Sequence, residues 1–199
     1  KALDGYAALS VGCGLGQDPE TQLFVHELLL KNPAIANLAT VLDADALNAI
    51  AVIPDWPTHL KVPAVLTPHP GEMARLTGLT TDQVQERRLE VARQSAQKWG
   101  QVVVLKGAFT VVASPQGVAR ISPFANPGLA SAGTGDVLAG VIGGLLAQGL
   151  SPMDAATCGV YIHGAAAEGL RHQLGDAGLL ASDLLPEIPR CIKALKGSN

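Results

Sequence analysis

Two kinds of apolar pattern alternate along the chain. "QVVVLKG" (Gln101–Gly107) is a continuous apolar run, which predicts a strand buried on both faces. "YAALSVG" (Tyr6–Gly12) reads the same way and runs into the turn "CGLGQDPE". Ala39–Leu47 predicts a strand that ends at its carboxylates, and "PAVLTPHPGEMARLTG" a strand, a proline-rich turn and a helix start. Between these runs the period becomes helical. Thr21–Lys31 predicts a helix, as does Thr81–Gly100, whose Val84, Leu89, Val91, Ala92 and Ala96 form one face before Gly100 stops it. Further helices are predicted from about Asp136 and over Pro152–Gln173, and "FTVVASPQGVARIS" predicts a hairpin about its "PQG" turn. Strand–helix alternation with doubly buried strands implies an α/β fold with a mainly parallel sheet. Ligands of such sheets sit at the carboxyl ends of strands. Gly14, Asp43, His69 and Lys106 all fall at or just after predicted strand ends. With no repeat, low-complexity tract or linker, one domain is expected over residues 1–199.

Composition narrows the function classes. Hydrophobic residues make up 48% of the 199 and charged residues 16%, an ordinary globular balance, and the 4% of aromatics leaves the core to Ala, Leu, Val and Ile. A net charge of −3 argues against nucleic acid or an anionic membrane as the main partner. Val137–Ala147, the most apolar run, is broken by glycines and too short to span a bilayer. Cys13, Cys158 and Cys191 are odd in number and lack metal-site spacing, so they read as thiols in a reducing compartment, and a cytoplasmic location is expected. The chain starts at Lys1 rather than Met, which suggests trimming.

The candidate chemistry centres on "NPGLASAGTGDVLAG". Gly133 and Gly135 permit backbone angles that other residues avoid. Thr134 and the following amides can then converge at a helix N-terminus, making an anion hole for a phosphoryl group. Asp136 beside it is either a base for an attacking hydroxyl or a simple helix cap. No Lys-Ser/Thr follows, so this is not a Walker loop, and no GxGxxG fingerprint is spelled.

"GTGD" ahead of an Ala/Gly-rich helix resembles the signature of ribokinase-like proteins. The longer string, with "VLDADALN", "LTPHPGE" and "VVVLKGAFT", is similar to one branch, the ADP- or ATP-dependent NAD(P)H-hydrate dehydratases. The resemblance runs from Gly12 to about Gly140. It implies a three-layer α/β/α fold and a repair lyase. A nucleotide phosphorylates the ring hydroxyl of hydrated NADH or NADPH, phosphate leaves, and the double bond returns. Magnesium and ADP, less so ATP, are the implied cofactor and donor.

The resemblance gives Asp136 the role of base. It places Gly14, Gly16, His69 and Asp136 against substrate, and Lys106, Gly107, Ala108, Phe109, Thr110, Gly133, Thr134 and Gly135 against nucleotide. Glu72 matches a glutamate that organises magnesium through water. Each residue also has a plainer reading. His69 suits a surface loop, Glu72 a helix first turn and Lys106 a lysine snorkelling from a strand end. Asp43 and Asp45 face the same pocket, Asp45 reads equally as a cap, Asn126 could hold its loop, and His163 reads as structural. Cys13 stands where the family has proline, which implies a looser turn. Family domains carry a longer N-terminal part, so a missing segment is expected before Lys1, and a fused or separate epimerase and a homo-oligomer, such as a tetramer, are implied. The competing expectations are a hydroxyethylthiazole- or hydroxymethylpyrimidine-type kinase of the same fold, and a nucleotide-binding protein without turnover.

Overall fold

The computed structural model describes residues 3–197. Six strands form one sheet in the order β1 (Ala8–Val11), β2 (Ala39–Leu42), β3 (Ala64–Leu66), β4 (Val102–Leu105), β5 (Val111–Ala113) and β6 (Ala119–Ile121). The first four run parallel, and β4, β5 and β6 pair antiparallel. The parallel sheet and the hairpin agree with the apolar pattern. The hairpin turns at Gly117, whose φ of 82° a side chain would disfavour.

Alternate residues of each strand face opposite layers. Leu42, Leu66, Val103 and Leu105 pack with α1 (Pro19–His26), α2 (Ala44–Ala51), α3 (Trp56–His59), α4 (Pro70–Thr77), α5 (Thr81–Glu86) and α6 (Arg88–Trp99). Val41, Val65, Val102 and Val104 face α7 (Thr134–Ala147) and α8 (Pro152–Leu174). The layers are therefore α/β/α, with both sheet faces covered, as parallel sheets require. A last helix, α9 (Ala181–Leu195), packs on the end of α8 through Leu184.

Three boundaries differ from the sequence pattern. The run Ala39–Leu47 is a strand only to Leu42; Asp43 then turns the chain into α2. The stretch Thr81–Gly100 is two helices, broken at Arg87 (φ −128°, ψ 39°). The helix expected over Thr21–Lys31 starts at Pro19 and loosens into a π-helical turn at Glu27–Lys31. Among the described residues no helix is long and apolar enough to cross a membrane.

Candidate active site

The carboxyl ends of β1, β2, β3 and β4 meet the N-terminus of α7. Gly12 follows β1 at a φ of 132°, and a Cβ there would lie 1.7 Å from the Asp43 carbonyl oxygen. Only glycine lets the β1 loop come this close to β2. Gly14 and Gly16 follow with φ of 70° and 81°, and the Gly16 N–H donates to Asp45 Oδ2 at 2.9 Å. Asp45 therefore ties down the loop instead of capping α2.

Asp43 occupies the N-cap position of α2, but its side chain caps nothing. It is buried and pairs with Lys106 Nζ at 2.5 Å, from the end of β4. Lys106 also lies 3.9 Å from Glu72, which is buried in the first turn of α4. Glu72 Oε2 accepts the His69 N–H at 2.7 Å, while His69 Nδ1 accepts from Gly71 N at 3.0 Å. His69 and Glu72 thus form a capping box. Because Nδ1 accepts, the neutral ring carries its proton on Nε2, 3.4 Å from Glu72 Oε1, with the side chain half exposed.

Gly133 supplies the N-cap of α7 at a φ of 82°, and has no side chain to cap with. Asp136 stands in the first turn, so it is not the cap. Gly135 is helical and needs no special angle, and a Cβ there would only reach ordinary contact with Lys106 Nζ at 3.5 Å. Thr134 also has a local structural role. Its hydroxyl donates to the carbonyls of Leu129 and Ser131 at 2.7 and 2.8 Å, so its proton locks the loop while the residue still borders the pocket described below. The Gly135 and Asp136 amides donate to no protein acceptor among the described residues and point off the helix end.

Ligand atoms of Cys13, Asp43 and Asp136 lie within 4.8 Å of one another. Cys13 Sγ is 3.7 Å from Asp43 Oδ2. Burial, aided by the charges of Asp43 and Asp136, pushes its thiol up to about 12, so it stays protonated and donates.

On the other side of the α7 terminus lies a pocket of about 380 Å³. Lys106, Gly107, Ala108, Thr110, Thr134 and Gly135 border it, whereas Phe109, Gly133 and Asp136 do not. Phe109 is exposed at a φ of 53° and its N–H donates to the Phe124 carbonyl at 2.9 Å. The deeper wall was not foreseen in the sequence: Phe124, Leu129, Leu138, Val160 and His163. Gly164 brings α8 onto Phe124, whose ring a Cβ would meet at 2.2 Å. His163 is buried, and its Nε2–H donates to the Thr134 carbonyl at 2.9 Å. Burial holds its pKa down to about 4, so the ring is neutral. Asn126 Oδ1 accepts the Gly128 N–H at 2.8 Å and holds its loop.

This is a ribokinase-like α/β fold with its charged groups at the strand ends. A family model described as NAD(P)H-hydrate dehydratase matches residues 1–190, and the chain belongs to that family. It is 48% identical over 188 residues to the bifunctional NAD(P)H-hydrate repair enzyme of Moorella thermoacetica, covering 94% of this chain and 35% of that enzyme. It is 42% identical to the ADP-dependent (S)-NAD(P)H-hydrate dehydratase of Neisseria meningitidis, covering 88% of this chain and 60% of that protein. The crystal structure of the ADP/ATP-dependent NAD(P)H-hydrate dehydratase of Bacillus subtilis, co-crystallised with ATP/Mg2+, superposes with a TM-score of 0.82 at 38% identity, over 95% of this chain and 66% of that one. The chain thus spans about a third of the bifunctional relative and under two thirds of the shorter ones.

Proposed function

We propose that this chain carries the dehydratase chemistry of its family, restoring NADH or NADPH from the ring hydrate with ADP as phosphoryl donor. The carrying observation is the placement of Asp136 two residues into α7, beside the free amides of that helix end and next to Lys106 and Asp43. Asp136 takes the proton of the ring hydroxyl as its oxygen bonds to the terminal phosphorus of ADP, and AMP leaves. The Gly135 and Asp136 amides and Lys106 hold the charge on the transferring group. The ring C–O bond then breaks, phosphate departs with its electron pair, and loss of a proton from the neighbouring ring carbon restores the double bond. His69 and the Gly14–Gly16 loop hold the hydrate. Lys106 to Thr110 and Gly133 to Gly135 border the nucleotide, with its base in the apolar pocket behind them.

Asp43, Glu72 and Asp136 offer hard oxygen donors, and they fit Mg2+ retained largely through water and phosphate oxygens. Bound there, Mg2+ supplies neutralisation of phosphate charge. Fused partners such as the epimerase of the bifunctional relatives, a homo-oligomeric assembly and a cytoplasmic setting belong to the same reading. The test follows absorbance in the reduced-nicotinamide band on adding the protein to NADH hydrate and Mg2+ with ADP or ATP. Recovery with ADP supports the reading; recovery with ATP alone changes the donor. Absence of recovery from folded, ADP-binding protein sinks it.

A further inference from the structure

The turn after β4 is fastened from behind by a residue outside both sides of the site. Arg88 opens α6, immediately after the break at Arg87. Its Nη2 donates to the carbonyls of Leu105 and Lys106 at 2.9 and 3.2 Å, and its Nη1 to Gln85 Oε1 at 2.7 Å. Gly107, at a φ of 137°, packs against the guanidinium: a Cβ there would sit 3.2 Å from both terminal nitrogens. Among the described residues no carboxylate pairs with Arg88, and burial lowers its pKa without any acid to offset it. A half-buried guanidinium without a counter-ion is costly unless its hydrogen bonds do structural work.

The consequence is a sorting of the backbone groups of the turn. The Leu105 and Lys106 carbonyls point back to Arg88, and the Gly107 carbonyl accepts from Thr110 Oγ1 at 2.9 Å. The Gly107 and Ala108 amides donate to no protein acceptor among the described residues, and both residues border the pocket. With carbonyls turned away and amides left over, the turn receives an anion. Gly107 is therefore glycine for Arg88 as much as for a ligand.

We propose that Arg88 is a positioning residue for nucleotide binding: its Nη2, aimed by the Nη1 bond to Gln85, draws two carbonyls out of the pocket and presents the Gly107–Ala108 amides, with Lys106, to the phosphates. This rests on the nucleotide part of the proposed function, but not on dehydration. The test measures ADP binding by calorimetry to wild type, Arg88→Ala and Arg88→Lys, with and without millimolar guanidinium ion. Arg88→Ala is expected to bind ADP about tenfold or more weakly, the scale for lost charge-assisted hydrogen bonds. Guanidinium is expected to restore most of that affinity while the affinity for NADH hydrate stays unchanged. Arg88→Lys keeps the cation but loses the Nη1 anchor on Gln85 that aims Nη2 at the carbonyls, so it is expected to fold and still bind ADP about tenfold more weakly. It carries the test should Arg88→Ala not fold. ADP affinity equal to wild type in the folded variants, or a loss in Arg88→Ala that guanidinium leaves untouched, overturns the proposal. Wild type that binds ADP but leaves NADH hydrate unchanged sinks the dehydratase reading and leaves this one standing.

Discussion

On one side of the first turn of α7, Asp136 faces Cys13 and buried Asp43, with Lys106, Glu72 and His69 close behind. On the other side, Gly135 borders a pocket walled by Phe124, Leu129, Leu138 and Val160. The first region is held by charges and hydrogen bonds, the second by apolar packing of α8 against the loop before α7. Lys106 belongs to both, pairing with Asp43 and lining the pocket. In the proposed reading the contrast separates bond-making from holding. Proton transfer needs a base held within hydrogen-bond reach of the proton, while a flat ring needs only a dry slot of the right width.

The largest effect should come from breaking only the charged side. Asp136→Asn is expected to lower turnover by about two to four orders of magnitude, with folding and ADP affinity kept, as steady-state kinetics and calorimetry would record. Near-normal turnover would erase the division between the two sides. Next, Lys106→Met strands the Asp43 carboxylate in a buried site. Denaturant unfolding should show a loss of about 3–5 kcal/mol, and Asp43→Asn in the same chain should recover much of it. A double variant no more stable than the single one would mean that the pair is not what holds this side.

The apolar side has a pH signature. His163 is held at about 4 in the folded chain, against 6.5 for a freely exposed ring. Below pH 6.5 the unfolded chain takes up a proton that the folded chain refuses until about pH 4. Stability is therefore full above that window and falls through it as the pH drops, by about 3 kcal/mol. His163→Gln, which can still donate to the Thr134 carbonyl, should flatten that slope; an unchanged slope would assign it elsewhere. The smallest effect concerns Cys13. Protonated beside two carboxylates, it should be alkylated at pH 8 roughly a hundredfold more slowly than exposed Cys158. Equal rates, read by mass spectrometry, would show a more open charged side.

The charged side was largely legible in the sequence, because its groups sit in short motifs at strand ends. "GTGD", "LTPHPGE" and "VVVLKG" each deliver a polar residue to the same edge of a parallel sheet. What each residue does locally was less legible. Asp45 ties Gly16, His69 and Glu72 cap each other, and the Thr134 hydroxyl faces its own loop. These hydrogen bonds depend on tertiary approach, which no spacing rule contains. The apolar side was nearly silent: Phe124, Leu138 and Val160 look like any core residues until α8 is placed. His163 is structural, as its Ala-rich helix suggested, and it also borders the pocket. The break at Arg87 was hidden because apolar periodicity continues across it. The helix α9 was missed because Pro186 and Pro189 interrupt its pattern.

The most direct test of the central claim is a product balance. Phosphorus NMR would count AMP and phosphate, and absorbance would count NADH, in one reaction of NADH hydrate with ADP and Mg2+. If the charged side transfers phosphate to the ring hydroxyl, one AMP and one phosphate appear for each NADH restored, and all three appear at least about a hundredfold more slowly with Asp136→Asn. NADH restored without AMP, or AMP released without NADH, would contradict it.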